Sequence, residues 1–349
     1  MRQSTGLKKG MCALLLLGIV LLGAGPLLNT PAAAQVVTFT CQNVNAMNHP
    51  GFYVIADMIE DLKKMSNGKL IINQIPPGGL VQSTQTFEST GSGAIDMAIT
   101  YGAYHGGILP VAAASFALPG DPRGIWDMYN FYYKEGGLEF LRTHYAKHNV
   151  HYLAPMVWPG YAMMSKREVK TFEDVKRLKV RAVGTMAQVL HNLGVGTTFI
   201  PFAEIYVAMS RGAIDATVSG SHAENYLQDL HEVAKYMVTP DFSSAQTLEV
   251  LVNLKKFQSM PEELQAMFET AAQKAALHFT RIFMEEEQSA VLKMQAAGAQ
   301  LLTLADDSVQ ALRQASYDAW ESIAEKDQPT KEFMELVKKN LEKLGYTSE

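Results

Sequence analysis

Arg181 ends the short apolar run Val180-Arg181, which reads as a strand. Sheets of the α/β type present ligand-contacting side chains at strand ends. A planar guanidinium can hold a carboxylate through two parallel hydrogen bonds. An arginine in such a place can equally be a surface residue. Val218-Ser219-Gly220-Ser221-His222 follows another expected strand. Ser219, Ser221 and His222 could hydrogen-bond an oxyanion, and a protonated His222 would add positive charge. Asn43, Asn48 and His49 follow the first expected strand, and Tyr101 and Tyr104 follow a strand over Ala94–Ile99. The same strand-end rule aims both loops at a cleft, which Phe242 would line from a returning segment. These are groups suited to holding an anion.

Bond-breaking chemistry has little support. The chain has no Walker-type loop, no complete G-x-G-x-x-G and no G-x-S-x-G elbow. Cys41 has no nucleophile context. His144, His148 and His151 would be metal ligands only if one helix carried them all. A strand beginning at Asn149-Val150 turns His151 away, which leaves a solvated helix end. Glu285-Glu286-Glu287 falls inside a long helix and reads as a wet face. No cofactor and no metal is expected.

Composition sets the compartment. The chain has 349 residues, 48% of them hydrophobic, with two cysteines and a formal net charge of −5. That length suits two lobes, and the acidic balance lacks the basic footprint of a nucleic-acid binder. Arg2, Lys8 and Lys9 precede an apolar stretch from Met11 to Leu28, followed by Pro31-Ala32-Ala33-Ala34-Gln35. This is the pattern of a signal peptide spanning residues 1–34, cleaved after Ala34. The remaining 315 residues would carry a formal charge of −8 and a single cysteine, Cys41, so no disulfide can form within the chain.

These groups need a scaffold, and hydrophobic periodicity supplies one. Strands at Val36–Thr40, Lys69–Ile75 and Ala94–Ile99 alternate with helices, and the pattern restarts at Met186–Leu193. Such alternation indicates parallel βαβ units. Gly93-Ala94-Ile95-Asp96-Met97-Ala98 has a near-repeat in Gly212-Ala213-Ile214-Asp215-Ala216-Thr217, which suggests two similar lobes. From Pro261 to Ala297 neither proline nor glycine interrupts the chain. That helix is long enough to run along both lobes, although a kink near Glu285–Gln288 would divide it in two. Amphipathic helices at about 306–325 and 330–344 follow.

Thr171-Phe172-Glu173-Asp174-Val175-Lys176-Arg177-Leu178-Lys179-Val180-Arg181 resembles the D-L-K-G-L-K-I-R signature of TRAP (tripartite ATP-independent periplasmic) solute-binding proteins. The run from Pro201 through Glu204, Tyr206, Ala208 and Gly212 to Asp215 is similar to that family's P-x-x-E-x-Y-x-A-L-x-x-G-x-V-D stretch. The likeness extends over essentially the whole mature chain. It implies an α/β two-lobed periplasmic binding protein with a ligand cleft between the lobes and a long helix spanning both. Lobe I would comprise 35–158 with about 247–286, and lobe II 159–246 with about 287–325. Residues 326–349 would form a C-terminal helix.

The resemblance also implies that Arg181 clamps the ligand carboxylate. A second contact of the family falls here on Tyr161, beside Trp158. Glu-Trp, which helps hold a metal ion in the branch that binds 2-oxo acids, is replaced by Val218-Ser219, and few oxygen ligands for a hard cation remain. The expected function is periplasmic capture of a small organic anion by lobe closure. Delivery would be to the small and large integral membrane subunits of a TRAP transporter, with the binding protein a monomer or dimer. A 2-oxo or 2-hydroxy acid, a dicarboxylate and a sulfonate all remain open as ligands. A sensor's binding module and a two-lobed hydrolase are the alternative functions.

Overall fold

The computed structural model describes residues 36–346, so the signal segment expected at 1–34 lies outside the described residues. Among the described residues, eleven strands divide into two sheets. The first contains β1 (Val37–Asn43), β2 (Leu70–Ile75), β3 (Met97–Tyr101), β4 (Val150–Pro159) and β10 (Ala245–Asn253). Its order is β2-β1-β3-β10-β4. The second contains β5 (Ala162–Ser165), β6 (Val180–Arg181), β7 (Thr197–Thr198), β8 (Ala216–Ser219), β9 (Tyr236–Thr239) and β11 (Gln300–Thr303). Its order is β11-β9-β5-β8-β6-β7.

The expectation of parallel βαβ units describes only part of each sheet. β1 runs parallel to β2 and β3, and β6 runs parallel to β7 and β8. However, β10 is antiparallel to β3 and β4, and β5 is antiparallel to β8 and β9. The cause is topological. The chain leaves the first sheet at Pro159 for β5 and returns from β9 into β10, so each sheet receives a strand from the opposite direction. Every residue of β10 is buried, and all of β4 but His151, as expected for strands covered on both faces.

The near-repeat marks equivalent places in the two sheets. Gly93 (φ +81°) and Gly212 (φ +73°) both take the left-handed conformation that closes a helix without a Cβ penalty. Asp96 then accepts the Thr40 amide at 2.8 Å, and Asp215 accepts the Lys179 amide at 3.1 Å. In each case a carboxylate ties the start of one strand to its parallel neighbour.

The helix Glu262–Ala296 runs 35 residues without a break, so the alternative of two helices does not occur. At 1.5 Å per residue it reaches roughly 52 Å. It packs on β4 and on the helix Pro50–Met65 beside the first sheet, and on the helix His222–Leu227 and β11 beside the second. Its acidic run is not a uniformly wet face. Glu285 pairs with Arg281 and Glu286 with Lys293, but Glu287 turns inward to accept the amides of His222 and Ala223 at 3.0 and 2.9 Å.

The histidine trio is dispersed, and its first member is not solvated. His144 is buried and stacks on Phe140, because its helix packs against β4. Asn149 takes a left-handed conformation before β4, and His151 then pairs with Glu269 at 2.9 Å. Cys41 is fully buried, which pushes its thiol pKa far up and keeps it unreactive.

Where the chain first crosses between sheets, Gly160 passes so close to Ser243 that a Cβ would stand 1.8 Å from the Ser243 carbonyl oxygen. Backbone cannot yield there as a flexible side chain would. Gly160→Ala is expected to cost about 3 kcal/mol or more, lowering the melting temperature by roughly 6 °C or more. Gly196→Ala, where a Cβ meets nothing within 4 Å, should stay within about 0.5 kcal/mol of the wild type. Thermal unfolding of both variants checks this.

Candidate functional site

A cavity with about 280 Å³ of empty volume opens where the carboxyl ends of β3, β6 and β8 converge. Strand ends supply Tyr101, Arg181 and Ser219; β4 and the crossing supply Trp158 and Tyr161; the turn after β3 supplies Tyr104. The structure therefore brings together six of the twelve residues singled out in the sequence.

The other six do not line it: Asn48 is exposed, His49 meets Glu224 at 3.0 Å, and the last four are held by local partners. Asn43 turns back to hold the loop after β1, accepting the Asn45 amide and donating to the Gly51 carbonyl at 2.6 Å. Ser221 caps the helix His222–Leu227, its hydroxyl accepting the Glu224 amide. His222 faces away from the cavity into an ion pair with Asp241 at 3.1 Å. Phe242 packs edge-on against Phe172, and its amide donates to the Tyr161 carbonyl. Each of the four has a local partner that strand-end reasoning cannot foresee.

Arg181 dominates the electrostatics. It is only 2% exposed, yet its one side-chain hydrogen bond among the described residues runs from Nε to the Ile200 carbonyl at 2.9 Å. No described carboxylate lies within 4.0 Å of the guanidinium. Burial pulls its pKa below the ordinary value, and the surrounding Tyr104, Tyr161, Tyr101 and Glu224 only partly offset that. Arginine nevertheless stays charged. Arg123, the other fully buried arginine, is held quite differently, with Asp121 at 2.6 Å and Asn340 at 3.2 Å.

The phenols remain neutral. Burial raises the pKa of Tyr101, Tyr104 and Tyr161. Tyr101 donates to Asn45, Tyr104 accepts the Phe202 amide at 2.8 Å, and the buried Tyr161 hydroxyl has no partner among the described residues.

Sequence reasoning missed Glu224, which is 1% exposed and lines the cavity. Its Oε2 accepts Trp158 Nε1 at 2.7 Å and the Ser221 amide at 3.1 Å. Its Oε1 meets His49 Nε2 at 3.0 Å. Ser221 followed three residues later by Glu224 is a capping-box pattern, and the box forms, so a helix start was legible there. The cavity role was not. Phe116, Phe202 and Gln246 complete the walls and come from segments remote in sequence.

Polar contacts close the cavity from both sides. His49, at the start of the helix Pro50–Met65, reaches Glu224, and Tyr104 reaches the Phe202 amide. The Thr185 hydroxyl donates to the Ala117 carbonyl. The first member of each of the first two pairs belongs to the first sheet's half and the second to the other.

Behind the cavity, burial disfavours the charged ring of His222, but the hydrogen bond and charge of Asp241, with Glu287 adding to them, hold its pKa above the ordinary histidine value. A raised folded pKa means the contribution is complete below the unfolded value of about 6.5 and fades as pH rises through the folded pKa. Thermal unfolding scanned upward from pH 6 should show stability falling through that window. His222→Gln should flatten this slope.

The chain matches the family described as DctP, bacterial extracellular solute-binding protein, family 7, over residues 42–327. It is 29% identical over 291 residues to a monocarboxylate 2-oxoacid-binding periplasmic protein of Nostoc sp. (strain PCC 7120), covering 82% of this chain and 80% of that one. Among solved structures it is similar to a TRAP periplasmic solute-binding protein from Pseudoalteromonas atlantica T6c with bound sodium and pyruvate. The TM-score is 0.84 at 23% identity, covering 89% of this chain and 95% of that one. A marine metagenome TRAP solute-binding protein in complex with pyroglutamate gives a TM-score of 0.80 at 17% identity, covering 87% and 99%. With two α/β lobes joined by a helix that runs along both, and with a match spanning most of its length, the chain belongs to the DctP family of bacterial extracellular solute-binding proteins.

Proposed function

We propose that this protein is the periplasmic solute-binding subunit of a TRAP transporter and captures a small organic acid by its carboxylate. One observation carries the reading: Arg181 is a buried cation facing the cavity without a carboxylate partner among the described residues. A charge taken out of water is costly unless paired, so a guanidinium built this way favours an arriving anion. The remaining Nη groups suit a bidentate carboxylate, and the Tyr161 hydroxyl offers a further donor. The names of the relatives, which bind 2-oxo acids, pyruvate and pyroglutamate, support the same ligand class.

Binding works by closure. Lobe I (35–158 with about 247–286) and lobe II (159–246 with about 287–325) close on the ligand, the crossings at 159–162 and 239–245 serving as hinges. Because the anion touches both lobes only when they meet, it stabilises the closed state over the open one. The closed form then docks on the membrane subunits and releases its cargo without chemical change, so the protein is not an enzyme. Residues 1–34 direct export to the periplasm.

Calorimetric titration with a panel of small carboxylates and sulfonates tests the reading. Wild-type protein is expected to bind at least one carboxylate with heat that saturates at one site. Arg181→Lys and Arg181→Ala should lose about 30-fold or more in affinity, matching about 2 kcal/mol or more for an orphaned buried charge. Unchanged affinity in both variants, with circular dichroism showing them folded, would remove Arg181 from the clamp role.

A further inference from the structure

Glu224 has no role in anion capture as argued so far, and it would oppose a carboxylate that came near it. Yet it lines the same cavity as Arg181. Its protein partners leave a definite opening. His49 Nδ1 accepts the Gly51 amide at 2.9 Å, so the ring proton lies on Nε2 and is donated to Glu224 Oε1. Trp158 and Ser221 donate to Oε2. An ionised carboxylate offers about four acceptor positions and no donor. Three are taken, and the fourth belongs to Oε1.

The charges point the same way. Within the cavity lining, Arg181 is the cation and Glu224 the anion, and the His49 tautomer adds no charge. A ligand carboxylate alone would leave the enclosed site with one excess negative charge. A donor group beside that carboxylate removes the repulsion, and an ammonium removes the excess charge as well. Of the ring donors, Trp158 and Tyr101 are already committed to Glu224 and Asn45, which leaves the Tyr161 hydroxyl to serve the carboxylate held by Arg181.

Resting on the reading of the cavity as a carboxylate site, we infer that the ligand carries, next to its carboxylate, one hydrogen-bond donor, a hydroxyl or an ammonium, which Glu224 accepts. Glu224 is then a specificity determinant: it selects 2-hydroxy or 2-amino acids and disfavours 2-oxo acids and dicarboxylates, whose second group offers only lone pairs. A site built to bond a donor rejects analogues that lack it, because its own buried group goes unpaired. A metal cation bridging Glu224 to a 2-oxo acid is the rival arrangement. Its protein ligands would be one carboxylate that already accepts three hydrogen bonds and a few neutral oxygens such as those of Ser219 and Gln246, whereas calcium prefers six to eight oxygens.

The test compares matched skeletons on the intact protein: lactate, alanine and pyruvate, then 2-hydroxyisovalerate, valine and 2-oxoisovalerate, with malonate alongside. Each is titrated by calorimetry with EDTA and again with added calcium and sodium. The donor-bearing member of a matched set should bind at least about tenfold tighter than its 2-oxo partner, with no gain from either cation. In Glu224→Gln, whose amide nitrogen can donate, that preference should shrink or reverse while Arg181-dependent binding persists. A 2-oxo acid or malonate that binds as tightly as the donor-bearing acids, or binding that appears only with an added cation, overturns the inference and leaves the carboxylate site standing. If no acid binds, the carboxylate reading fails and this inference fails with it. Comparing ligands on the wild type keeps the result independent of whether Glu224→Gln folds.

Discussion

A guanidinium without a counter-charge, held out of water, is the constraint around which this protein is organised. A buried charge is tolerated when its partners offset the lost hydration. Arg123 meets that condition within the protein, with Asp121 and Asn340 binding the helix Gln328–Lys343 to the first lobe. Arg181 does not. The Ile200 carbonyl fixes Nε, so the fork cannot swing away, and its other nitrogens are left toward a cavity walled by aromatic rings. Those rings lower the local polarity, which strengthens whatever charge interaction forms there. In the proposed function, the same lack of pairing that burdens the protein alone becomes affinity once an anion arrives.

That logic explains why the walls are divided between lobes. Tyr101, Tyr104 and Trp158 come from the first sheet and its loops, while Arg181, Ser219 and Glu224 come from the second. The rings also interlock: Phe202 from the second lobe lies edge-on to His49 and Tyr101 from the first, at 5.9 and 6.0 Å. Direct polar contacts across the junction, such as His49 to Glu224, are few and mostly neutral on one side. In the proposed mechanism they guide closure, and a ligand touching both walls supplies the differential stabilisation.

The long helix and Glu287 couple this junction to the rest of the fold. Glu287 lies on a helix that packs along both sheets, and its carboxylate accepts two amides at the start of the helix that carries Glu224. Burial raises the Glu287 pKa, and these amides counter the rise by favouring its charged form. A residue more than sixty positions away in sequence thus helps to hold the start of the helix that carries Glu224.

Much of the scaffold was legible in the residues themselves. Periodicity located most strands and helices, the repeated Gly-Ala-Ile-Asp pattern marked equivalent strand starts, and an uninterrupted stretch without proline or glycine marked the long helix. These features depend on local backbone preference and on neighbours a few residues away. The sequence also singled out Arg181, Tyr161, Trp158, Ser219, Tyr101 and Tyr104. Asn43, Ser221, His222 and Phe242, which it also named, do not line the cavity, since a strand-end position says that a side chain is near the cleft but not whether a cap, a turn or an ion pair claims it first. It missed Glu224 and treated Glu287 as solvated because both roles arise from contacts between distant segments. The sheets' antiparallel additions were hidden for the same reason. Local chemistry determined which pieces form and which group could grip an anion. Only the packing of two lobes decided which polar atoms are already satisfied, and hence which remain for a ligand.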